Sequence, residues 1–133
     1  MSTQDYKYAV LQFVEKMNER DFNGVRDMIT DDFLFIDSSG ITNKGKERCR
    51  EIWDRYFSLF PDIEFSITHI MQNGNTIAIL GNITGTFAAE DRASNEHSWS
   101  IPAAWKSVYR DDKVAEIRIY ADLEPIRKKI SDH

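Results

Sequence analysis

Apolar residues recur at intervals of three and four in the first part of the chain, which predicts two amphipathic helices. The first helix covers about residues 3–19, and its apolar face comprises Tyr6, Ala9, Val10, Phe13, Val14 and Met17. Asp21 precedes a second, shorter helix over residues 22–29 and is a favourable N-cap residue. The next apolar run, FLFI at residues 33–36, leads directly into Asp37 and Ser-Ser-Gly. We therefore predict a buried strand that ends on a carboxylate.

The clearest amphipathic helix follows Gly45 and ends at Pro61, with Cys49, Ile52, Trp53, Tyr56, Phe57 and Phe60 on its apolar face. From residue 63 the period changes to two, which predicts strands over residues 63–71, 76–87, 97–110 and 113–121. Gly81 and Gly85 lie within the second of these strands and predict a bulge or a bend in a strongly curved sheet. Residues 88–96 predict a polar loop, and residues 122–130 a short terminal helix.

Helices followed by a run of antiparallel strands indicate an α+β fold, because the helices have to cover one face of the sheet. We expect a cone-shaped, curved antiparallel sheet covered by N-terminal helices, with a pocket between the two layers. A chain of 133 residues, 41% of them hydrophobic, is too short for two stable cores. Residues 1–133 are therefore expected to form a single domain.

Charge and cysteine content argue against several classes of function. The net charge is -5, with 17 basic against 22 acidic residues and no Lys/Arg block, so neither nucleic acid nor a membrane surface is an expected partner. Cys49 is the only cysteine and the three histidines match no zinc signature, so we expect no metal site. The N-terminus has no signal-peptide pattern, and no apolar run reaches the ~18 residues that a membrane span needs. A cytoplasmic protein is expected.

The order of these elements resembles a SnoaL-like member of the nuclear transport factor 2 superfamily, which includes ketosteroid isomerase and the polyketide cyclases. The local matches are FVEKMNERDFNGVRDMITDDF, the two glycines before the third helix, PDIEF, and DDKVAEIRIYADLEPI. This resemblance covers essentially the whole chain. It implies a cystatin-like α+β roll whose pocket is lined by helices one and three and the concave sheet face. The superfamily includes enzymes, ligand binders and adaptors, so function has to be argued from individual residues.

Asp37 stands where the resemblance places the general base of the ketosteroid isomerases, which moves a proton at a carbon next to a carbonyl. In that family a tyrosine on helix one and a protonated aspartate on a late strand stabilise the enolate oxygen. The matching pocket positions here carry Phe13 and Ala104, which argues against steroid-type isomerisation because both donors are missing. An Asp before Ser-Ser-Gly also favours an Asx-turn, and this structural interpretation stays open.

Asp122 is similar in position to the last-strand aspartate that serves as acid/base in the polyketide cyclases, and Tyr120 fits the same family pattern. Strict alternation, however, places Asp122 opposite the apolar residues Ile117 and Ile119, so a bulge would be needed to turn it into the pocket. Asp122 is also well placed to cap the terminal helix. Both interpretations are retained.

His69 lies in phase with the apolar residues of its strand, so it is either a core histidine or a proton-transfer group in the cavity. The aromatic stripe of the third helix predicts a pocket wall or plain core, and its members are Trp53, Phe57 and Phe60. Of these, the resemblance favours Trp53 as a pocket residue.

The segment WSIPAAW separates two faces, one with Trp99 and Trp105 and the other with Ala104 and Lys106. The resemblance assigns the Ala104 face to the pocket. The tryptophan face would then carry a homodimer interface, where aromatic residues are enriched. Lys106 would be a pocket cation or a chain that reaches solvent.

Three hypotheses follow from these residues. The first is a cofactor-free cyclase or isomerase in which Asp37, Asp122 or His69 transfers a proton on a hydrophobic carbonyl compound. A second hypothesis is a non-catalytic pocket for an apolar small molecule, and the third is a dimeric adaptor that uses the tryptophan face.

Overall fold

The computed structural model describes residues 5–86 and 98–131, which form four helices and six strands. The predicted loop at residues 88–96 lies outside the described residues. In chain order the elements are α1 (Lys7–Asn18), α2 (Phe22–Met28), β1 (Ile29–Ile36), β2 (Thr42–Lys44), α3 (Lys46–Leu59), β3 (Glu64–Asn73), β4 (Thr76–Thr86), β5 (Ser98–Arg110), β6 (Lys113–Tyr120) and α4 (Glu124–Ser131). The predicted α+β class is confirmed, and Asp21 caps α2 by accepting a hydrogen bond from the amide of Gly24.

The strands form one sheet in the order β2-β1-β6-β5-β4-β3. Neighbouring strands are antiparallel except for β1 and β6, which run parallel and place Ile36 opposite Arg118. The run of strands from β3 to β6 is antiparallel as predicted, and the parallel β1–β6 pair is a feature that the alternation did not predict. Parallel strands need a long crossover connection, and here the connection comprises α3 and the β3–β5 meander. The short strand β2 was not predicted, because three residues are too few for an alternation to be recognised.

The helices cover the concave face of the sheet, as predicted. Buried residues of α1 and α3 pack on the inward side chains of the strands, and this core includes Val10, Phe13, Met17, Cys49, Trp53, Phe33, Ile77 and Ile79. A side-chain clamp fixes the end of α1 on the edge strand: Asn18 Nδ2 donates to the Phe65 carbonyl at 2.9 Å, and the Phe65 amide donates to Asn18 Oδ1 at 2.8 Å. Two backbone groups of an edge strand are thereby paired without another strand.

The strands β3 and β4 approach each other unusually closely at Gly81. The register of this pair shifts between Ile67 and His69, so the chain bulges opposite Gly81. A Cβ atom at Gly81 would lie 1.8 Å from the carbonyl oxygen of Ser66, a distance that no side chain can adopt. The bulge predicted from the two glycines is therefore present, but its extra residue lies on β3. Gly85 has a different role, since a Cβ atom there would lie 2.7 Å from the Trp99 ring.

We predict that Gly81→Ala destabilises the protein by about 3 kcal/mol or more, because the clash is with backbone that cannot move without breaking the β3–β4 pairing. Gly85→Ala is the matched comparison, since its clash is with a side chain that can shift. Its cost should be smaller, about 1 kcal/mol, and it should alter the tryptophan fluorescence. Denaturant unfolding of the two variants measures both effects, and equal losses would contradict this assignment.

Candidate functional site

A cavity of about 150 Å³ lies between α1, α3, α4 and the concave face of the sheet. Its lining is almost entirely apolar, and the four aromatic residues predicted from the helices, Phe13, Trp53, Phe57 and Phe60, all contribute to it. Trp53 and Phe60 are also buried in the protein core. The aromatic stripe of α3 is therefore both core and cavity wall.

Asp37 is a charged residue at the lining of this cavity, directly after the end of β1. Its Oδ1 atom accepts hydrogen bonds from the amides of Ser39 at 2.9 Å and Ile41 at 3.0 Å. These bonds form the Asx-turn that was one of the two interpretations of this residue. Within the described part of the chain, Oδ2 has no hydrogen-bond partner. The turn thus orients the carboxylate of a cavity-lining residue through one oxygen and leaves the other free of the turn.

Two further polar side chains lie at the same end of the cavity, Ser38 and Tyr56. Burial raises the pKa of the Tyr56 hydroxyl, and the negative charge of Asp37 raises it further. Tyr56 therefore stays neutral at physiological pH and can donate a hydrogen bond near the carboxylate. Leu123 and Ile126 of the α4 segment supply apolar lining.

The two faces of β5 are reversed relative to the expectation from the family resemblance. Trp99 and Trp105 line the cavity, whereas Ala104 lies on the opposite face, paired with Tyr120 of β6. Tyr120 is 48% exposed and lies outside the cavity lining. An offset of one residue in the register of β5 moves every one of its side chains to the other face of the sheet. The face with the two indole rings lies inside because its burial removes far more apolar area from water.

This reversal changes where a homodimer interface could lie. The homodimer stays a prediction, but Trp99 is only 7% exposed and cannot form the contact surface. Lys106 on the outer face does not enter the pocket either, since its Nζ atom pairs with Glu116 at 2.9 Å.

Asp122 and His69 lie outside the cavity lining. Asp122 is exposed, and its Oδ1 atom accepts the Glu124 amide at 3.0 Å, so the predicted capping of the terminal helix is present. His69 is also exposed, and its Nδ1 atom lies 3.2 Å from the Thr68 hydroxyl. The bulge in β3 interrupts the alternation that had placed His69 in the core. Neither group therefore lines the cavity together with Asp37.

Sequence analysis missed Tyr109, a cavity-lining residue of β5 that is only 2% exposed. Its hydroxyl is buried and has no hydrogen-bond partner in the described part of the chain. Leaving such a group unpaired costs about 1–3 kcal/mol, so it needs an explanation. Tyr109 lies on the same face of β5 as Trp99 and Trp105. A correct assignment of the two faces would therefore have predicted Tyr109 as a cavity residue.

Residues 10–117 match the SnoaL-like domain family. The chain belongs to this family. A search of curated protein sequences finds no match to this SnoaL-like protein.

Solved structures of similar fold confirm the predicted nuclear transport factor 2-like architecture. A candidate SnoaL-like polyketide cyclase from Shewanella putrefaciens matches with a TM-score of 0.81 and 14% identity, covering 99% of this chain and 100% of its own. IdmH, a candidate polyketide cyclase from Streptomyces antibioticus, matches with a TM-score of 0.81 and 17% identity over 96% of this chain and 99% of its own. A protein with a ketosteroid isomerase-like fold from Catenulispora acidiphila, in complex with trimethylamine, has a TM-score of 0.79 and 16% identity, covering 96% of this chain and 93% of its own.

Among residues 5–86 and 98–131, no group of three or more His, Cys, Asp or Glu side chains could hold a metal ion. None of the helices there is long and apolar enough to span a membrane.

Burial and the neighbouring Tyr6 raise the pKa of Tyr109 to about 12. An unfolded tyrosine ionises near pH 10, so between about pH 10 and 12 the unfolded chain loses a proton that the folded protein keeps. We predict that the free energy of unfolding falls in this window by up to about 1.4 kcal/mol per pH unit because of Tyr109. Urea unfolding of wild type and Tyr109→Phe tests this, since the variant should lose less stability there. Parallel pH profiles for the two proteins would refute the assignment.

Proposed function

We propose that this protein is a cofactor-free enzyme of the cyclase or isomerase type, in which Asp37 transfers a proton at a carbon next to a carbonyl group of a hydrophobic compound. The single observation that carries the proposal is the carboxylate of Asp37 at an apolar cavity, with one oxygen held by two amides and the other unpaired among the described residues. A general base needs such a fixed orientation and a free oxygen within reach of its proton.

The volume of the cavity limits the substrate. A cavity of about 150 Å³ encloses roughly one six-membered ring, since a protein cavity of that size binds benzene. A larger polycyclic compound would have to keep its other rings outside the cavity. We therefore propose that the reacting carbonyl belongs to a single ring or a short chain.

Stabilisation of the developing enolate oxygen needs a hydrogen-bond donor near Asp37. Phe13 cannot supply one, and Ala104, the second position by the family resemblance, has no donor group and lies on the other face. We propose Tyr56 for this role, because it lines the same end of the cavity, interacts electrostatically with Asp37 and remains protonated.

The test is deuterium exchange at the α-carbon of single-ring ketones such as acetophenone, followed by proton NMR in D₂O. We predict that wild type exchanges faster than buffer and that Asp37→Asn lowers the protein-dependent rate by about 10²-fold or more. The Asn side chain keeps an oxygen for the Asx-turn, so the turn should remain folded.

Asp21→Asn is the matched structural control, because Asp21 also accepts a backbone amide through its side chain but lies outside the cavity lining. It should exchange ketones at the wild-type rate. Asp122→Asn tests the other aspartate that was predicted as an acid/base residue, and loss of exchange in that variant alone would contradict the proposal for Asp37.

A non-catalytic binder of an apolar small molecule is the second candidate, favoured by the nearly complete apolar lining of the cavity. This candidate would be supported over an enzyme if the protein bound ketones without accelerating deuterium exchange. Wild type and Asp37→Asn would then show identical exchange rates.

A further inference from the structure

We propose that the Tyr109 hydroxyl forms a second polar subsite of the cavity, which donates a hydrogen bond to a ligand oxygen remote from the one near Asp37. This inference rests on the ligand-binding part of the proposed function and specifies the ligand further. The first observation is the hydroxyl itself, which is buried, belongs to a residue that lines the cavity, and has no partner in the described part of the chain. Buried hydroxyls in native proteins nearly always have a hydrogen-bond partner.

The position of this hydroxyl is fixed by the surrounding structure. The Tyr109 ring stacks on Tyr6, with centroids 4.3 Å apart and planes at 16°. Tyr6 is itself held, because its hydroxyl donates to the Asp111 carbonyl at 2.9 Å and its amide donates to Gln72 Oε1 at 2.9 Å. A donor on such a rigid support loses little conformational freedom when it binds a ligand.

The backbone of Tyr109 is held by a reciprocal pair of hydrogen bonds. Its amide donates to the Asn75 carbonyl at 2.9 Å, and Asn75 Nδ2 donates to the Tyr109 carbonyl at 3.0 Å. Burial and Tyr6 raise the pKa of the phenol to about 12, so the hydroxyl keeps its proton throughout the physiological range. The unpaired group is thus a hydrogen-bond donor at neutral pH.

The sheet register separates this donor from Asp37. Tyr109 lies opposite Val114 of β6, whereas Ile36, the residue before Asp37, lies opposite Arg118. These two positions on β6 are about 13 Å apart at the usual rise per strand residue. Side chains stand roughly perpendicular to a sheet, so one carbonyl group cannot contact both residues. The ligand class is therefore a small, mainly apolar compound with two oxygen functions, one at each end.

The experiment compares two isosteric probes, cyclohexanone and methylenecyclohexane, which differ by an oxygen in place of a CH₂ group. Their dissociation constants are measured by NMR titration with wild type, Tyr109→Phe and Tyr120→Phe. We expect the ketone-over-alkene preference of wild type to fall about 3- to 10-fold in Tyr109→Phe. The same preference should be unchanged in Tyr120→Phe, which loses an exposed tyrosine hydroxyl outside the cavity lining.

Thermal unfolding provides a second readout that does not depend on the probes. Tyr109→Phe removes an unpaired hydroxyl and should leave the midpoint unchanged or raise it. Tyr6→Phe breaks the bond to Asp111 and should lower it by about 3 °C. A lower midpoint for Tyr109→Phe would overturn the proposal, because it would show that the hydroxyl already has a partner.

The binding data separate failure of this inference from failure of the proposed function. Equal ketone preferences in wild type and Tyr109→Phe would overturn the subsite while leaving the cavity as a ligand site. If neither probe bound to wild type, the ligand cavity itself would be rejected, and the subsite with it.

Discussion

The close contact between β3 and β4 at Gly81 is the constraint on which the cavity depends. Only a residue without a Cβ atom can face the Ser66 carbonyl at this distance, and the bulge beside this contact lies on the edge strand β3. Bulges bend strands and increase their twist. A flatter sheet would bring its side chains into direct contact with the helices. Curvature instead leaves a space between the inward indole rings of β5 and the aromatic side chains of α3.

Specific contacts hold two of the polar residues that line this space. Asp37 is oriented by amides of its own turn, so a residue that ends a strand also places a charge at the cavity. Tyr109 is positioned by stacking and by pairing with Asn75. The same residues thus have structural and potential chemical roles, and in this protein the two interpretations of Asp37 do not exclude each other.

Much of the fold could be predicted because each helix and long strand carries its own periodicity. The α3 stripe and the Asp21 cap are local signals that need no knowledge of distant residues. The parallel β1–β6 pair could not be predicted from alternation, because pairing depends on which edges meet after the chain has folded. His69 was misplaced for a related reason, since a bulge on one strand is determined by the close approach of its neighbour.

The sequence by itself determined the order of elements, the aromatic wall of α3 and the two alternating faces of β5. Tertiary structure alone decided which of these faces is inside. At 14–17% identity to the solved relatives, residue matching does not fix the register of β5, and an offset of one residue exchanges Trp105 for Ala104 at the cavity. Local periodicity defines the two faces of a strand. Which face is buried depends on where the helices pack, and the packing follows the total apolar area that is removed from water.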